Sequence, residues 1–376
     1  MQRYFILAVF SITNIIFTYM INCTYKVIAL MSGTSLDGID IIFSEYNYNN
    51  SWSFKILNSE TIKYSSDWEL VLKRLVNNSM DELKSIDSKY SKYLGNVVLD
   101  FIEKYKIETV DFIASHGHTA LHRPEVGLTY QIGNQQVFAD VINKKVICDF
   151  RIQDVELGGQ GAPLVPIGDR LLFHNYDYCL NLGGFANISF ENKSERIAYD
   201  ICPVNIVLNY YVSKLGLEYD DKGQMASAGS INEKLLTDLN KLSYYKDLPP
   251  KSLGLEWVEE YIFPLIDSYN LQTKDVLRTF VEHISIQISN TLDPEKLEVL
   301  ATGGGVYNDF LLKCLRSQTK IKIAIPNTEI IEFKEALIFG LLGVLKERNE
   351  INCLMSVTGA EKNHSSGKIL IPKISG

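Results

Sequence analysis

Three apolar runs that each end in a glycine-rich turn constrain the fold of this chain more than any other feature. They are KVIALMSGTSLDGIDIIF at 26–43, YDYCLNLGGFANISF at 176–190 and KLEVLATGGGVYNDFLLKCL at 296–315. The first two have the order strand, small-residue turn, strand, which predicts β-hairpins. The third leads from a strand into a helix, because Asn308 and Asp309 are typical of a helix N-terminus.

Strand and helix patterns alternate between these runs, which predicts an α/β fold. Helices are predicted at 68–75, 90–105, 205–215, 276–292 and 335–347, and further strands at 109–114, 145–150 and 321–325. Each half begins with a glycine-turn hairpin, so we predict a duplicated domain whose glycine loops face each other across a cleft. The irregular segment 149–161, rich in glycine, separates the halves. The predicted lobes are therefore 23–150 and 151–344.

Composition narrows the class of protein and its compartment. The formal charge of −8 and a pI near 5.4, with no dense stripe of basic residues, argue against a nucleic-acid binder. The six cysteines include no CxxC pair, which favours a reduced, cytoplasmic chain over a disulfide framework or a zinc site. Residues 1–22 have the pattern of a secretory signal or short anchor. We interpret them as a dispensable leader or as sequence upstream of a start at Met20, and expect no membrane contact for the core.

The turn after the first apolar run has the composition of a phosphate-binding loop. Glycine and small hydroxyl residues let the backbone approach a ligand and present N–H groups to an anion. The residues predicted to bind the nucleotide are Gly33, Thr34, Ser35, Leu36, Asp37, Gly38, Ile39 and Asp40, with Gly183 and Gly184 gripping it from the second turn. Asp37 or Asp40 would hold water around a Mg²⁺ ion. A tight β-turn without a ligand is the alternative, and no GxxxxGK[ST] motif occurs.

Seven segments together resemble one family of enzymes. They are LMSGTSLDGID, ASHGHTALHRP, TYQIGN, DFRIQDVELGGQGAPLVP, NLGGFANIS, KSLGLEW and ATGGGVYNDFL. The chain is similar in these segments to the anhydro-N-acetylmuramic acid kinases of the sugar kinase/heat-shock ATPase/actin superfamily. The resemblance extends from about Tyr25 to the region of Leu345. It implies two RNase H-like lobes with ATP and sugar in the cleft between them, and residues 345–376 as a C-terminal helix that packs back onto the first lobe.

The resemblance also implies a reaction and its partners. Water opens the 1,6-anhydro bond while ATP phosphorylates O6, giving N-acetylmuramic acid 6-phosphate and ADP in the recycling of peptidoglycan fragments. ATP and Mg²⁺ are the implied cofactors, an anhydro amino sugar is the implied substrate, and a homodimer is left open. Two other functions are weighed against this one: another sugar or acyl kinase of the superfamily, and a non-catalytic actin-like ATP-binding protein.

Asp200 is the predicted general base. It stands at the end of a short strand and just before a predicted helix, where a carboxylate can accept a proton from water. The resemblance implies the catalytic role, and an N-terminal helix cap is the alternative. Family members commonly have DTGPGN where this chain has Asp200-Ile201-Cys202-Pro203-Val204-Asn205. The missing glycines leave the backbone contacts of this loop open.

Four residues are predicted to contact the sugar, each with a structural alternative. Arg123 would bind the lactyl carboxylate or serve as a solvated or structural arginine, and Arg151 would bind an anion or form an inter-domain salt bridge. Gln160 lies in a close-approach loop that the resemblance places near the substrate. Glu335 would bind sugar or compensate a helix dipole. Adenosine would lie against the backbone of Gly303, Gly304 and Gly305.

No protein-bound metal cluster is predicted. His116 and His118 share the spacing of one strand face, but no carboxylate or cysteine completes a zinc set at metal spacing.

Overall fold

The computed structural model describes residues 22–33 and 36–373. The predicted leader, apart from Asn22, and the loop residues Thr34 and Ser35 lie outside the described residues. Two compact units make up the chain. The first contains the chain up to Leu172 and again from Phe333 onward, and the second is Phe173–Glu332.

The strands are numbered in chain order. They are β1 Asn22–Ser32, β2 Ile39–Asn49, β3 Ser51–Ile62, β4 Phe112–Ser115, β5 His118–Arg123, β6 Leu128–Ile132, β7 Val146–Cys148, β8 Tyr178–Leu182, β9 Phe185–Asn192, β10 Glu195–Pro203, β11 Glu298–Thr302, β12 Lys322–Ala324 and β13 Lys368–Leu370.

The α-helices are numbered in the same way. They are α1 Ser66–Lys73, α2 Met80–Tyr105, α3 Gln136–Ile142, α4 Ile152–Glu156, α5 Val165–Leu172, α6 Asn205–Ser213, α7 Gln224–Ser227, α8 Glu233–Asn240, α9 Leu255–Trp257, α10 Phe263–Asp267, α11 Thr273–Thr291, α12 Asp309–Gln318, α13 Thr328–Glu347 and α14 Met355–Thr358.

The two units share the topology of five strands, and the first unit adds β13 at one edge, which confirms the predicted α/β fold with a duplicated arrangement. The first sheet has the order β13-β7-β4-β1-β2-β3 and the second has the order β10-β9-β8-β11-β12. In each sheet a central strand, β1 or β8, pairs antiparallel with the next strand of its hairpin. On its other side the same strand pairs parallel with β4 or β11. Side chains of β1 are buried from Val27 to Leu30, as expected for a central strand covered on both faces.

The predicted helices are present, but most begin earlier than the sequence pattern indicated. The helix expected at 90–105 is α2, which starts at Met80 because Ser79 and Glu82 form a capping box at its N-terminus. The helix expected at 335–347 is α13, which starts at Thr328. Among the described residues, no helix has both the length and the apolar character needed to cross a membrane.

The predicted C-terminal helix at 345–376 is wrong. Helix α13 ends at Glu347, and the chain continues through the short α14 into β13, which pairs antiparallel with β7. Left-handed backbone at Asn349, Gly359 and Gly367 interrupts any continuing helix. The segment does belong to the first unit.

The boundaries between the compact units also differ from the predicted boundaries at 150/151 and 344/345. The segment from 151 to 172 belongs to the first unit. One reason is the close packing of α5 on α13, where a Cβ on Gly168 would lie 2.5 Å from a side-chain carbon of Ile338. The return to the first unit begins at Phe333, inside α13.

A buried ion pair joins these two helices of the first unit. Lys334 Nζ on α13 lies 2.7 Å from Asp169 Oδ1 on α5, and the two side chains are 7% and 5% exposed. Breaking a buried ion pair by removing one member typically costs about 3–5 kcal/mol.

Lys334→Met should therefore lower the free energy of unfolding by about 3–5 kcal/mol, measured by urea denaturation. The control is Lys322→Met, which breaks the 2.6 Å pair with Glu298 at a lysine that is 74% exposed. This control should leave the unfolding transition almost unchanged. Equal effects of the two substitutions would contradict the role assigned to burial.

Candidate functional site

The loop after β1 is shaped by a close approach of its backbone to β3. The hairpin closes at the pair Ser32–Ile39. Gly38 has φ of 152°, and a Cβ there would lie 2.6 Å from the carbonyl oxygen of Ile62. Only glycine fits this position without displacing the backbone of β3. The turn leaves Asp37 exposed to solvent.

A buried cluster of hydroxyl groups fixes the end of β1 directly before this loop. Ser32 Oγ lies 2.5 Å from the Tyr64 hydroxyl, 3.1 Å from the Tyr90 hydroxyl and 2.8 Å from His118 Nδ1. Burial raises the pKa of Tyr64 to about 12 and lowers the pKa of His118 to about 4. The cluster is therefore uncharged at neutral pH and can anchor the loop without an ionic cost.

In the first unit, the charges of predicted nucleotide-binding and sugar-binding residues interact with one another. Asp40 Oδ1 accepts a hydrogen bond of 2.6 Å from the Thr61 hydroxyl. The Glu335 side chain is exposed to solvent, yet desolvation by the surrounding protein raises its pKa. The positive charges of Arg151 and Lys334 lower the pKa of Glu335, and the negative charge of Asp40 raises it further. The charges of Arg151 and Asp40 therefore both act on the Glu335 carboxyl.

Arg151 is held in place by two hydrogen bonds. Its Nε donates to His116 Nε2 at 2.9 Å, and its Nη1 donates to the Gly161 carbonyl at 2.6 Å. His116 Nδ1 donates to the Gly117 carbonyl at 2.9 Å, and burial lowers the pKa of His116 well below its usual range. A neutral imidazole with its proton on Nδ1 accepts from the guanidinium. Within the described residues Arg151 forms no ion pair, so the predicted salt bridge is absent there.

The loop that contains Gln160 is organised by the buried carboxylate of Asp154. The Gly161 N–H donates to Asp154 Oδ2 at 2.7 Å, and a Cβ on Gly159 would lie 2.2 Å from the same oxygen. The Gln160 N–H donates to the Thr358 carbonyl at 2.8 Å, and its side chain is exposed. The loop thus has a fixed backbone and presents Gln160 to solvent.

Arg123 is exposed at the end of β5, and among the described residues no hydrogen bond joins it to Arg151 or Glu335. The preceding residue, His122, faces this region instead. Its Cε1 lies 3.4 Å from the position of a Cβ on Gly161, and the charge of Arg151 contributes to lowering the His122 pKa, after burial. Successive side chains of a strand point in opposite directions, which explains why only one of the two reaches Arg151.

The two glycine loops of the second unit pack against each other because β8 and β11 are parallel neighbours. Gly303 has φ of 82°, and a Cβ there would lie 2.4 Å from Asn181 Oδ1. A Cβ on Gly305 would lie 2.7 Å from the Leu182 side chain. These two glycines are required by packing.

Gly184 and Gly304 differ from their neighbours because they are exposed and border open space. The nearest atoms to a Cβ are Ile206 Cβ for Gly184 and Asn205 Nδ2 for Gly304, both at 3.9 Å. Both glycines therefore lie beside the beginning of α6. Their missing side chains leave room for a ligand at the carboxyl edge of the sheet.

The backbone of the loop before α6 is already engaged by the β8–β9 turn. The Val204 N–H donates to the Gly184 carbonyl at 2.8 Å, and the Asn205 N–H donates to the Gly183 carbonyl at 3.3 Å. Ile201, Cys202 and Val204, the residues at which the chain departs from DTGPGN, are buried in the core of the second unit. The residues that differ from DTGPGN therefore add apolar packing. The N–H groups of Val204 and Asn205 are hydrogen-bonded within the protein.

Asp200 does not cap a helix. It lies within β10, next to a β-bulge, whereas the residue at the N-cap of α6 is Val204. Asp200 Oδ2 accepts the Leu253 N–H at 2.9 Å, and Oδ1 has no partner among the described residues. Burial raises the pKa of Asp200, and the Leu253 N–H opposes the increase. A half-buried carboxylate with one unengaged oxygen and a raised pKa can accept a proton.

The described residues form an α/β fold of two units, with a glycine turn after the central strand of each. Residues 25–372 match the family model of anhydro-N-acetylmuramic acid kinase. The chain belongs to this family.

Curated relatives agree with the family assignment. An anhydro-N-acetylmuramic acid kinase of Clostridioides difficile is 32% identical over 372 residues, which cover 91% of this chain and 97% of the relative. One of Bacillus cereus strain AH187 is 31% identical, covering 92% of this chain and 99% of the relative. Among solved structures, the chain is similar to ligand-bound xylulose kinase from Lactobacillus acidophilus, with 11% identity, a TM-score of 0.45, and coverage of 93% and 94%.

Asp200→Asn should unfold at the same or a higher temperature than the wild type near pH 7. Because the pKa of Asp200 is raised in the folded chain, its ionised form lowers stability above that pKa. The amide oxygen can still accept the Leu253 N–H. The difference in thermal midpoint between the variant and the wild type should shrink as the pH falls to about 3. At that pH the wild-type carboxyl is protonated in both the folded and the unfolded state. Thermal midpoints measured from about pH 3 to pH 7 test whether the Asp200 pKa is raised in the folded chain. A variant less stable than the wild type near pH 7 would contradict it.

Proposed function

We propose that the chain is an ATP-dependent kinase of 1,6-anhydro-N-acetylmuramic acid. It phosphorylates O6 with hydrolytic opening of the anhydro ring, and the product is N-acetylmuramic acid 6-phosphate in cell-wall recycling. The family match over residues 25–372 carries the choice of substrate. The raised pKa and unengaged oxygen of Asp200 support the hydrolytic step.

Asp200 is proposed to remove a proton from the attacking water. The water oxygen bonds to the anomeric carbon C1, and the C1–O6 bond breaks. O6 then bonds to the γ-phosphorus of ATP, and ADP leaves. One proton of the water passes to Asp200 and is released to solvent after turnover. A positioned general base contributes about 10²- to 10⁴-fold to the rate.

Nucleotide binding is proposed for the glycine turns of each unit. Gly184 and Gly304 border open space in the second unit, and in the first the loop between β1 and β2 contains Gly33 and Gly38. Carboxylate oxygens that keep contact with water suit Mg²⁺, and Asp37 and Asp40 are the residues that would hold it. Bound there, Mg²⁺ would neutralise phosphate charge.

Sugar recognition is proposed for Arg151, Glu335 and Gln160. The held guanidinium of Arg151 suits a carboxylate, such as the lactyl group of the sugar, and Glu335 can accept hydrogen bonds from hydroxyl groups. Arg123 is a further candidate for the lactyl carboxylate, as an exposed arginine on the strand that also carries His122. We place the enzyme in the cytoplasm, where ATP is available, and a homodimer stays a prediction.

The direct test is ADP release from ATP with and without 1,6-anhydro-N-acetylmuramic acid. N-acetylmuramic acid and xylulose serve as comparison sugars. ADP release should depend on the anhydro sugar and should be much slower with the other two. ADP release that is independent of any sugar would favour an ATP-binding protein without this activity.

Asp200→Asn should reduce kcat by about 10²- to 10⁴-fold, with ring opening and phosphorylation lost together. The amide is nearly isosteric, so the affinities for ATP and sugar should change little. Steady-state kinetics and calorimetry measure the two effects separately. A nearly normal kcat would remove Asp200 as the base.

Gly304→Val should weaken ATP binding at least tenfold without destabilising the protein. The backbone of Gly304 is outside the left-handed region and no protein atom lies closer than 3.9 Å to its Cβ position, so valine fits the fold and fills only the ligand space. The matched comparison is Gly303→Val, which combines φ of 82° with a 2.4 Å approach to Asn181 and should lower the thermal midpoint. Unchanged ATP affinity of the folded Gly304→Val protein would exclude the loop from the nucleotide site.

A further inference from the structure

Three metal-ligating side chains of the first unit converge in its interior. They are Asp154, Cys353 and His364, all buried, and their ligand atoms lie within 4.8 Å of one another. Asp154 belongs to α4, whereas the other two belong to the segment between α13 and β13. Such a set has the residue types of a zinc site, although its members are far apart in the sequence.

The backbone places Cys353 and His364 side by side. They form an isolated antiparallel bridge, in which the Cys353 N–H donates to the His364 carbonyl at 3.1 Å and the His364 N–H donates back at 3.2 Å. Residues directly opposite on such a pair project their side chains from the same face. Both side chains can therefore reach one atom held between them and Asp154.

The tautomer of His364 directs a lone pair toward this cluster. Nδ1 lies 3.1 Å from the Lys362 carbonyl oxygen, which only accepts, so Nδ1 carries the proton in the neutral ring. Nε2 is then a lone-pair atom 3.6 Å from Asp154 Oδ1. It is fully buried and has no hydrogen-bond partner in the described part of the chain, and the His364 side chain is 3% exposed. Two facing lone-pair atoms repel each other unless a proton or a metal cation lies between them.

The distances suit a tetrahedral cation. Cys353 Sγ lies 3.0 Å and His364 Nε2 lies 3.6 Å from Asp154 Oδ1. Zinc bonds of about 2.0–2.3 Å give edges of about 3.3–3.8 Å between ligand atoms in a tetrahedron. These two distances lie within about 0.5 Å of tetrahedral edges, and all three ligand atoms lie within 4.8 Å of one another.

We propose that Asp154, Cys353 and His364 are three ligands of a Zn²⁺ ion, with water in the fourth position. On binding, the thiol proton that Cys353 donates to Asp154 is released to solvent and a Zn–S bond forms. The Thr358 hydroxyl, 2.7 Å from Asp154 Oδ1, and the Gly161 N–H, 2.7 Å from Oδ2, orient the carboxylate. The ion fastens the C-terminal segment to the loop that holds Arg151. This inference is independent of the proposed function.

The first experiment uses the full-length wild-type protein and Co²⁺ as a spectroscopic probe. After dialysis against a chelator, Co²⁺ is added, followed by Zn²⁺. The site should give about one equivalent of bound Co²⁺ with a near-ultraviolet thiolate-to-cobalt band, and Zn²⁺ should displace it. Absence of a thiolate band at saturating Co²⁺ would overturn the proposal, and this outcome needs no variant.

The second experiment compares Zn²⁺-dependent thermal stabilisation among variants. Zn²⁺ should raise the thermal midpoint of the wild type and of Cys314→Ser, a buried cysteine of the second unit. Cys353→Ser and His364→Gln should lose this shift and at least tenfold of the Zn²⁺ affinity, since each removes one ligand. If Cys353→Ser fails to fold, His364→Gln, in which the thiol stays in place, decides alone. An equal Zn²⁺ affinity of His364→Gln and the wild type would contradict the site.

Discussion

The main constraint on this structure is the lack of room for a side chain where the chain turns after a central strand. In the first unit this turn follows β1, where Gly38 meets the carbonyl of Ile62. In the second unit it follows β11, where Gly303 meets Asn181. The glycines that leave space for a ligand, such as Gly304, follow from the same tight turns.

A chain of hydrogen bonds in the first unit shows how a charged side chain is held in a fixed orientation. Asp154 fixes the N–H of Gly161, the Gly161 carbonyl and His116 hold Arg151, and the Gly117 carbonyl fixes the His116 tautomer. Each buried polar group finds a partner along this chain, which limits the cost of burial. Arg151 is therefore oriented before any ligand arrives, which reduces the entropy lost on binding.

The sequence predicted the parts of the fold that depend on local pattern. The glycine-turn hairpins, the strand-to-helix run at 296–315 and the duplicated α/β class follow from apolar periodicity and turn residues, and the structure has them. The helix predicted at 345–376 was wrong because left-handed backbone at Asn349, Gly359 and Gly367 interrupts it, and the three residues of β13 pair with β7 instead.

Side chains that meet across long sequence separations could not be predicted. Ser32 contacts Tyr64, Tyr90 and His118 through pairing of distant strands and helices, and no local motif marks the tyrosines. From local sequence alone, the position of Asp200 before a helix favoured a cap, since the contact with Leu253 is visible only in the folded chain. Motifs identify which residues gather at a site, whereas tertiary packing decides how each is held.

The account depends most on the claim that one turnover couples ring hydrolysis to phosphoryl transfer. The most direct measurement is mass analysis of the sugar phosphate formed from 1,6-anhydro-N-acetylmuramic acid and ATP in ¹⁸O-labelled water, quenched before the anomeric oxygen exchanges. The account predicts one ¹⁸O atom on the sugar and none in the phosphate group. A phosphorylated product that retains the anhydro ring, or ¹⁸O in the phosphate, would contradict it.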